Sequence, residues 1–318
     1  MTSRRRLGAV LLAVPLAALA AACGSAEKSA TETKLVAPVR TTTTSSTVPL
    51  PLGRPSRIVS LSPTVTETLF AIGAGDQVVA VDSFSNYPPE APVTDLSAFE
   101  PNIEAIAKYQ PDLVFTDGTN PDLESQLNKL GIAVFAAKAP KNLDQVYQQV
   151  EQIGAATGNI AQAGAVSLTM QDEINAILRT YTRPTDGKIV YYYELDNTFY
   201  SASSKTFAGA VFNALGMINI ADEVDTKQTA GYPQLTPEFI VSKNPDVIFL
   251  ADTKCCQQSA ATVKARPGWE SIRAVRDNRI VELDDDIAMR WGPRVVELVR
   301  TVVAGLTGIT PDPDKIFE

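Results

Sequence analysis

Short apolar runs that alternate with amphipathic, helix-length segments constrain this chain more than any other feature. Residues 58–61 read Ile-Val-Ser-Leu, 78–81 Val-Val-Ala-Val, 112–115 Asp-Leu-Val-Phe and 132–135 Ile-Ala-Val-Phe. Each is too short for a core helix and lacks the polar alternation of a half-exposed strand, as expected of strands buried on both faces. Between them lie helical patterns. Ser62-Pro63 supplies an N-cap and an N1 proline for the segment ending before Gly73. Residues 102–109 and 122–130 follow, the latter closed by Gly131. This order predicts βα units around a mainly parallel sheet, and so an α/β fold.

The pattern then pauses. Residues 143–157 carry apolar Val146, Val150 and Ile153 and stop at Gly158. Residues 160–181 have no Gly or Pro after Gly164, and a helix of that length spans about 33 Å, enough to cross between domains. Beyond it the βα pattern restarts, with strands at 188–195, 247–250 and 279–283 and helices at 206–215, 237–243 and 294–306. Tyr191-Tyr192-Tyr193 reads as a strand with alternating faces rather than an aromatic box. Pro237-Glu238-Phe239-Ile240 before Asn244-Pro245-Asp246-Val247 echoes Asn102-Ile103-Glu104-Ala105-Ile106 before Gln110-Pro111-Asp112-Leu113. The echo predicts two similarly built lobes.

The N-terminal region is different in kind. Arg4, Arg5 and Arg6 precede an apolar, alanine-rich run that ends in Ala20-Ala21-Ala22-Cys23-Gly24. A basic start, a short apolar core and small residues at the end make a secretory signal peptide. Cys23 at the first mature position resembles a bacterial lipobox, which implies a lipid anchor on that thiol. An ordinary signal peptide with an incidental cysteine is the second reading. Ser3-Arg4-Arg5 admits twin-arginine export as well as the general route. Residues 23–53, rich in Thr, Ser and Pro, cannot build a core and read as a linker. The expected organisation is a signal peptide over 1–22, the anchored linker over 23–53, an N-terminal lobe over 54–159, a connecting helix over 160–182, a C-terminal lobe over 187–308 and a tail over 309–318.

Composition narrows the function. Removal of the three leading arginines leaves 25 basic against 36 acidic residues, a net charge of −11, which disfavours nucleic acid and anionic membrane surfaces as partners. The chain has no histidine, so it lacks the usual general base and the commonest zinc ligand. Any bound haem would need tyrosine or methionine. Apart from Cys23, the cysteines are the adjacent Cys255 and Cys256. Oxidising surroundings permit a vicinal disulfide, but neighbouring Cα atoms lie about 3.8 Å apart, below the usual ~4.4–6.8 Å. That disulfide and two reduced, packed thiols both remain open.

Arg57-Ile58-Val59-Ser60-Leu61-Ser62-Pro63-Thr64-Val65-Thr66-Glu67, Asn86-Tyr87-Pro88-Pro89 and Pro111-Asp112-Leu113-Val114 together resemble the class III substrate-binding proteins of ABC importers for vitamin B12, ferric siderophores and haem. The resemblance spans residues 54–308 and implies two Rossmann-like lobes joined by one long rigid helix, with the ligand in the cleft between them. It further implies a non-enzymatic monomer outside the cytoplasmic membrane, attached only by its lipid, with a permease and its ATPase as partners and no cofactor of its own. Local likeness is strongest to the vitamin B12-binding subgroup, where the segment matching Asp286-Ile287-Ala288-Met289-Arg290 contacts the corrinoid. Asp286 would accept from amide NH₂ groups and Arg290 donate to amide carbonyls. Phe84 and Phe99 stand where that subgroup places aromatics against the ligand, and Ser62, Tyr87, Met289 and Trp291 complete the expected site. A ferric siderophore or haem is the alternative cargo. Glu104 and Glu238, one per lobe, match glutamates that pair with permease arginines in the family.

Residues 117–119 and 196–200 end strands and are expected at the cleft edge. Asp284-Asp285-Asp286 lacks a further acid at calcium-loop spacing, so a polar strand end is the better reading than a metal site. The competing function class is an exported hydrolase using paired carboxylates.

Overall fold

The computed structural model describes residues 54–184 and 187–308. The segment read as a signal peptide, Cys23, the linker and the tail from 309 lie outside the described residues. No described helix is long and apolar enough to cross a membrane.

Two four-stranded sheets form. The first contains β1 (Ile58–Ser60), β2 (Val78–Val81), β3 (Leu113–Thr116) and β4 (Ala133–Ala136), in the order β2-β1-β3-β4. The second contains β5 (Val190–Glu194), β6 (Ile218–Asn219), β7 (Val247–Leu250) and β8 (Ile280–Glu282), in the order β6-β5-β7-β8. Every strand pairing is parallel. The two lobes thus share one topology, as the sequence echo predicts.

Both faces of each sheet are buried, and the side chains divide by the two-residue strand period. Leu113 and Phe115 point to one core and Val114 to another. Tyr191 and Tyr193 point one way while Tyr192 points the other. The outer faces have separate cores, but the inner faces share one. That core runs from Ile58 and Phe115 through Ala163, Met170 and Ile174 to Tyr191, Phe212 and Phe249.

Helices start where capping residues stand. Ser62 caps α1 (Pro63–Ala71), Asn102 caps α2 (Ile103–Ala107) and Asn120 caps α3 (Pro121–Lys129), each side chain accepting a backbone N–H from the first turn. Asn142 caps α4 (Leu143–Thr157), which ends at Gly158 in the left-handed conformation, φ 74°. After that turn α5 (Ile160–Thr180) runs 21 residues and packs against both α4 and α11 (Val295–Gly305). This α4–α5 pair is the link between the lobes. The second lobe adds α6 (Phe207–Ala214), α7 (Pro237–Lys243), α8 (Ala260–Lys264), α9 (Arg273–Arg276) and α10 (Asp285–Ala288). The long elements fall within two residues of the expected bounds. β6 and the short helices α8 to α10 carry too few apolar residues for any period to register.

The α4–α5 contact is close. A Cβ built on Gly154 would lie 2.2 Å from Ala163 Cβ, so only glycine fits. Gly154→Val should cost about 1–3 kcal/mol through overpacking, read as a lower urea midpoint. An unchanged midpoint would show that the two helices are not held together here.

Candidate functional site

In an open parallel sheet, ligands bind beyond the carboxyl ends of the strands, where neighbouring connections diverge to opposite sides. Those points lie between β1 and β3 in one lobe and between β5 and β7 in the other. Ser62 follows β1, but it is buried and its hydroxyl caps α1. Asp117 follows β3 and accepts from the Thr119 N–H and hydroxyl at 2.9 and 2.7 Å. Past β5, Asp196 binds Thr198 in the same way, at 2.8 and 2.6 Å. Each lobe therefore presents a side-chain-braced turn at its switch point.

The lobes meet where the loop after β2 touches the segment after β8. Arg290 is only 8 % exposed. It donates to Glu67 Oε1 at 2.9 Å, Asn86 Oδ1 at 2.9 Å, the Phe84 carbonyl at 3.1 Å and Asp286 Oδ1 at 2.6 Å. Arg294 Nε donates to Glu67 Oε2 at 3.0 Å, a second nitrogen reaches Glu67 Oε1, and the guanidinium lies 4.1 Å from the centre of the Tyr87 ring. Burial disfavours the Arg294 charge, but the Glu67 hydrogen bonds raise its pKa above the ordinary value. Asp286 also accepts from Asn86 Nδ2 at 3.3 Å and Lys254 Nζ at 2.9 Å. Burial pushes its carboxyl up, but Lys254 and Arg290 outweigh this and hold it below the usual range.

Around this polar junction stand apolar side chains left open to solvent. Phe84 is 55 % and Phe99 79 % exposed, with their rings edge-on at 5.5 Å. Met289 is 54 % exposed, and Tyr87 is also open. Trp291 sits differently. Its indole N–H donates to Gln149 Oε1 at 2.9 Å, its ring packs edge-on to Phe207 at 6.2 Å, and it lies against the shared core.

Cys255 and Cys256 form a disulfide between neighbouring residues. The Cys255 N–H and the Lys254 N–H both donate to Asp285, at 2.8 and 3.0 Å. The acidic triplet is thus spent internally: Asp284 caps α10, Asp285 holds the cysteine loop and Asp286 joins the lobe junction. Among the described residues no cluster of three or more Cys, Asp or Glu could hold a metal ion.

Beneath the β5–β7 switch point, Asp252 is fully buried beside Glu194. Arg266 forks onto both Glu194 oxygens and stacks 4.5 Å from the centre of the Trp269 ring. Burial, then the Glu194 charge, pushes the Asp252 carboxyl up to about 8.

Glu104 and Glu238 are exposed, each two residues past the capping residue of a helix that precedes the third strand of its lobe. Sequence reasoning assigned no site role to Glu67, Asn86 or Lys254. For Glu67 the only signal was a carboxylate on the apolar side of a short helix. Asn86 opens the Asn86-Tyr87-Pro88-Pro89 motif, but nothing marks its role until Asp286 and Arg290, 200 and 204 positions away, come against it, and Lys254 shows only once the fold brings Asp284 and Asp286 to it.

The periplasmic binding protein family matches residues 58–287. An uncharacterized ABC transporter substrate-binding lipoprotein of Bacillus subtilis is 31% identical over 269 residues, 82% of each chain. A cobalamin-binding protein of Halobacterium salinarum is 33% identical over 250 residues, covering 76% of this chain and 67% of the relative. Among solved structures, a periplasmic heme-binding protein of Roseiflexus sp. RS-1 aligns with a TM-score of 0.66 at 27% identity, over 80% of this chain and 98% of that one.

Asp252 gives the fold a definite pH dependence. From its ordinary value of 3.8 up to about 8, the folded chain holds a proton that the unfolded chain has released. Its stabilising contribution is complete below the unfolded value and is lost as pH rises through the folded one. Asp252→Asn removes that loss. The variant should gain thermal stability relative to the wild type on going from about pH 5 to about pH 8. A constant difference across that window would show that Asp252 is ionised throughout.

Proposed function

The chain belongs to the periplasmic binding protein family, and on that premise we propose that it captures a metal chelate outside the cytoplasmic membrane and hands it to an ABC importer. The family is one of non-catalytic solute-binding proteins, which removes the hydrolase alternative. A cobalt corrinoid is the favoured cargo, with a ferric siderophore or haem as the second reading. The observation that carries the proposal is the open apolar set, Phe84 and Phe99 on one lobe and Met289 on the other, around a charged junction at the strand ends. Broad apolar surface with a few fixed polar groups suits a large rigid ligand. The cobalamin-binding relative, at 33% identity, favours the corrinoid, whose amide-bearing edge fits Asp286 as acceptor. Both terminal nitrogens of Arg290 are engaged and it supports Asp286 from behind; a direct contact through either of them would require it to exchange an acceptor.

Delivery needs a tether and a docking face. Lipid on Cys23 supplies the tether. Glu104 and Glu238 supply the docking groups, one to each half of a permease whose ATPase lies beyond it. Equal positions on equivalent helices suit a permease with two like halves, and such charge pairs favour encounter and register.

Tryptophan fluorescence titrated with cyanocobalamin, haemin and ferrichrome tests the reading. Saturable quenching by cyanocobalamin, weakened about tenfold by Phe99→Ala through lost apolar contact, is the expected result. No response to any of the three would remove the chelate assignment. Glu104→Lys with Glu238→Lys should leave ligand affinity intact and abolish uptake; normal uptake would remove the docking face. Cys23→Ser should release soluble protein or block processing, and undiminished membrane attachment would count against the anchor.

A further inference from the structure

We propose that Glu67 is the positioning residue of the ligand site: by holding two arginines of the opposite lobe, it fixes the segment carrying Asp286 and Met289 against the loop carrying Phe84, and so sets which chelates the cleft accepts. The inference rests on the chelate-binding reading and adds a residue to it.

Glu67 is 3 % exposed, on the inward side of α1. Its two oxygens accept three hydrogen bonds, all from residues more than 220 positions away. Arg290 passes the constraint on in two directions. One nitrogen reaches the Phe84 carbonyl, which fixes the backbone of an exposed aromatic, and the same nitrogen reaches Asp286. Met289 is the residue before it. The open aromatic of one lobe and the open methionine and carboxylate of the other are therefore spaced through a single guanidinium, which Glu67 anchors. Arg294 repeats the arrangement with Tyr87, whose ring lies under its guanidinium. The backbones are as close as the ion pairs require: a Cβ on Gly292 would lie 3.2 Å from the Thr64 carbonyl and 3.3 Å from Glu67 Oε2.

A buried ion cluster of this kind is a poor source of stability, because desolvation consumes most of its attraction. What it does supply is register. Loss of one carboxylate would leave two guanidiniums in a confined space with Asp286 as the nearest counter-charge, and the lobes would settle at a different separation.

The test compares Glu67→Gln, the double variant Glu67→Gln with Arg294→Gln, and Gly292→Ala. The double variant removes one arginine along with the carboxylate. Gly292→Ala wedges the same junction without touching a charge, so at least one variant keeps the native charge balance. Amide exchange in the ligand-free proteins is measured first. Exchange at residues 83–87 and 286–291 should speed up about tenfold or more in Glu67→Gln, with the β5 and β7 amides unchanged and partial recovery in the double variant. The ratio of cyanocobalamin to haemin affinity should then shift by about tenfold in Glu67→Gln, and in the same direction but less in Gly292→Ala. Native exchange rates in Glu67→Gln overturn the proposal. So does an affinity ratio that stays constant across all three variants, which would make Glu67 a structural staple only. If the wild type binds neither probe, the chelate reading fails, while the exchange data still decide whether Glu67 positions the junction.

Discussion

A parallel sheet has no face that can be left to water, because every strand must be joined to the next by a crossover lying on one face or the other. This chain meets that requirement twice with economy. Each lobe covers its outer face with its own helices, and the two inner faces are closed by a common set formed by α1, α4, α5, α6 and α11. The resulting core is continuous from Phe115 in one sheet to Phe249 in the other. The connecting helix is therefore not an exposed strut. Ala163, Met170 and Ile174 lie within that core, and Gly154 lets α4 come into backbone contact with it.

At the strand ends the chemistry reverses. Glu67, Arg290 and Arg294 are charges withdrawn from water, and each is compensated by partners from the other lobe or from the adjoining segment. Large apolar side chains, which the core would have accommodated, stand open beside them. Buried charge next to exposed aromatic surface inverts the usual distribution, and such an inversion marks a place kept for something else to cover.

Much of this was legible in the sequence. Short apolar runs marked β1 to β4 and β7, Ser62-Pro63 marked the start of α1, and Gly131 and Gly158 marked where α3 and α4 end, because these signals are local. The lobe echo was local as well, and it located Glu104 and Glu238 at the same helical position. The junction was not legible. Arg290 reads as a ligand donor when seen with Asp286 alone, since nothing near it in the chain shows that Glu67 and Asn86 claim its nitrogens. Trp291 beside it reads as a stacking platform until Gln149, from α4, takes its indole N–H.

The continuity of the inner core has a mechanical consequence. To swing one lobe far from the other would pull Met170 and its neighbours out of apolar contact, at a cost of about 25 cal/mol for every Å² exposed. A receptor this stiff would change its outline little between empty and full. An importer that recognises it by shape then meets occupied and vacant copies as near-equal competitors for one berth. Cargo flux would depend on how many receptors are filled at the prevailing supply, and overproducing the receptor when cargo is scarce would slow uptake rather than speed it.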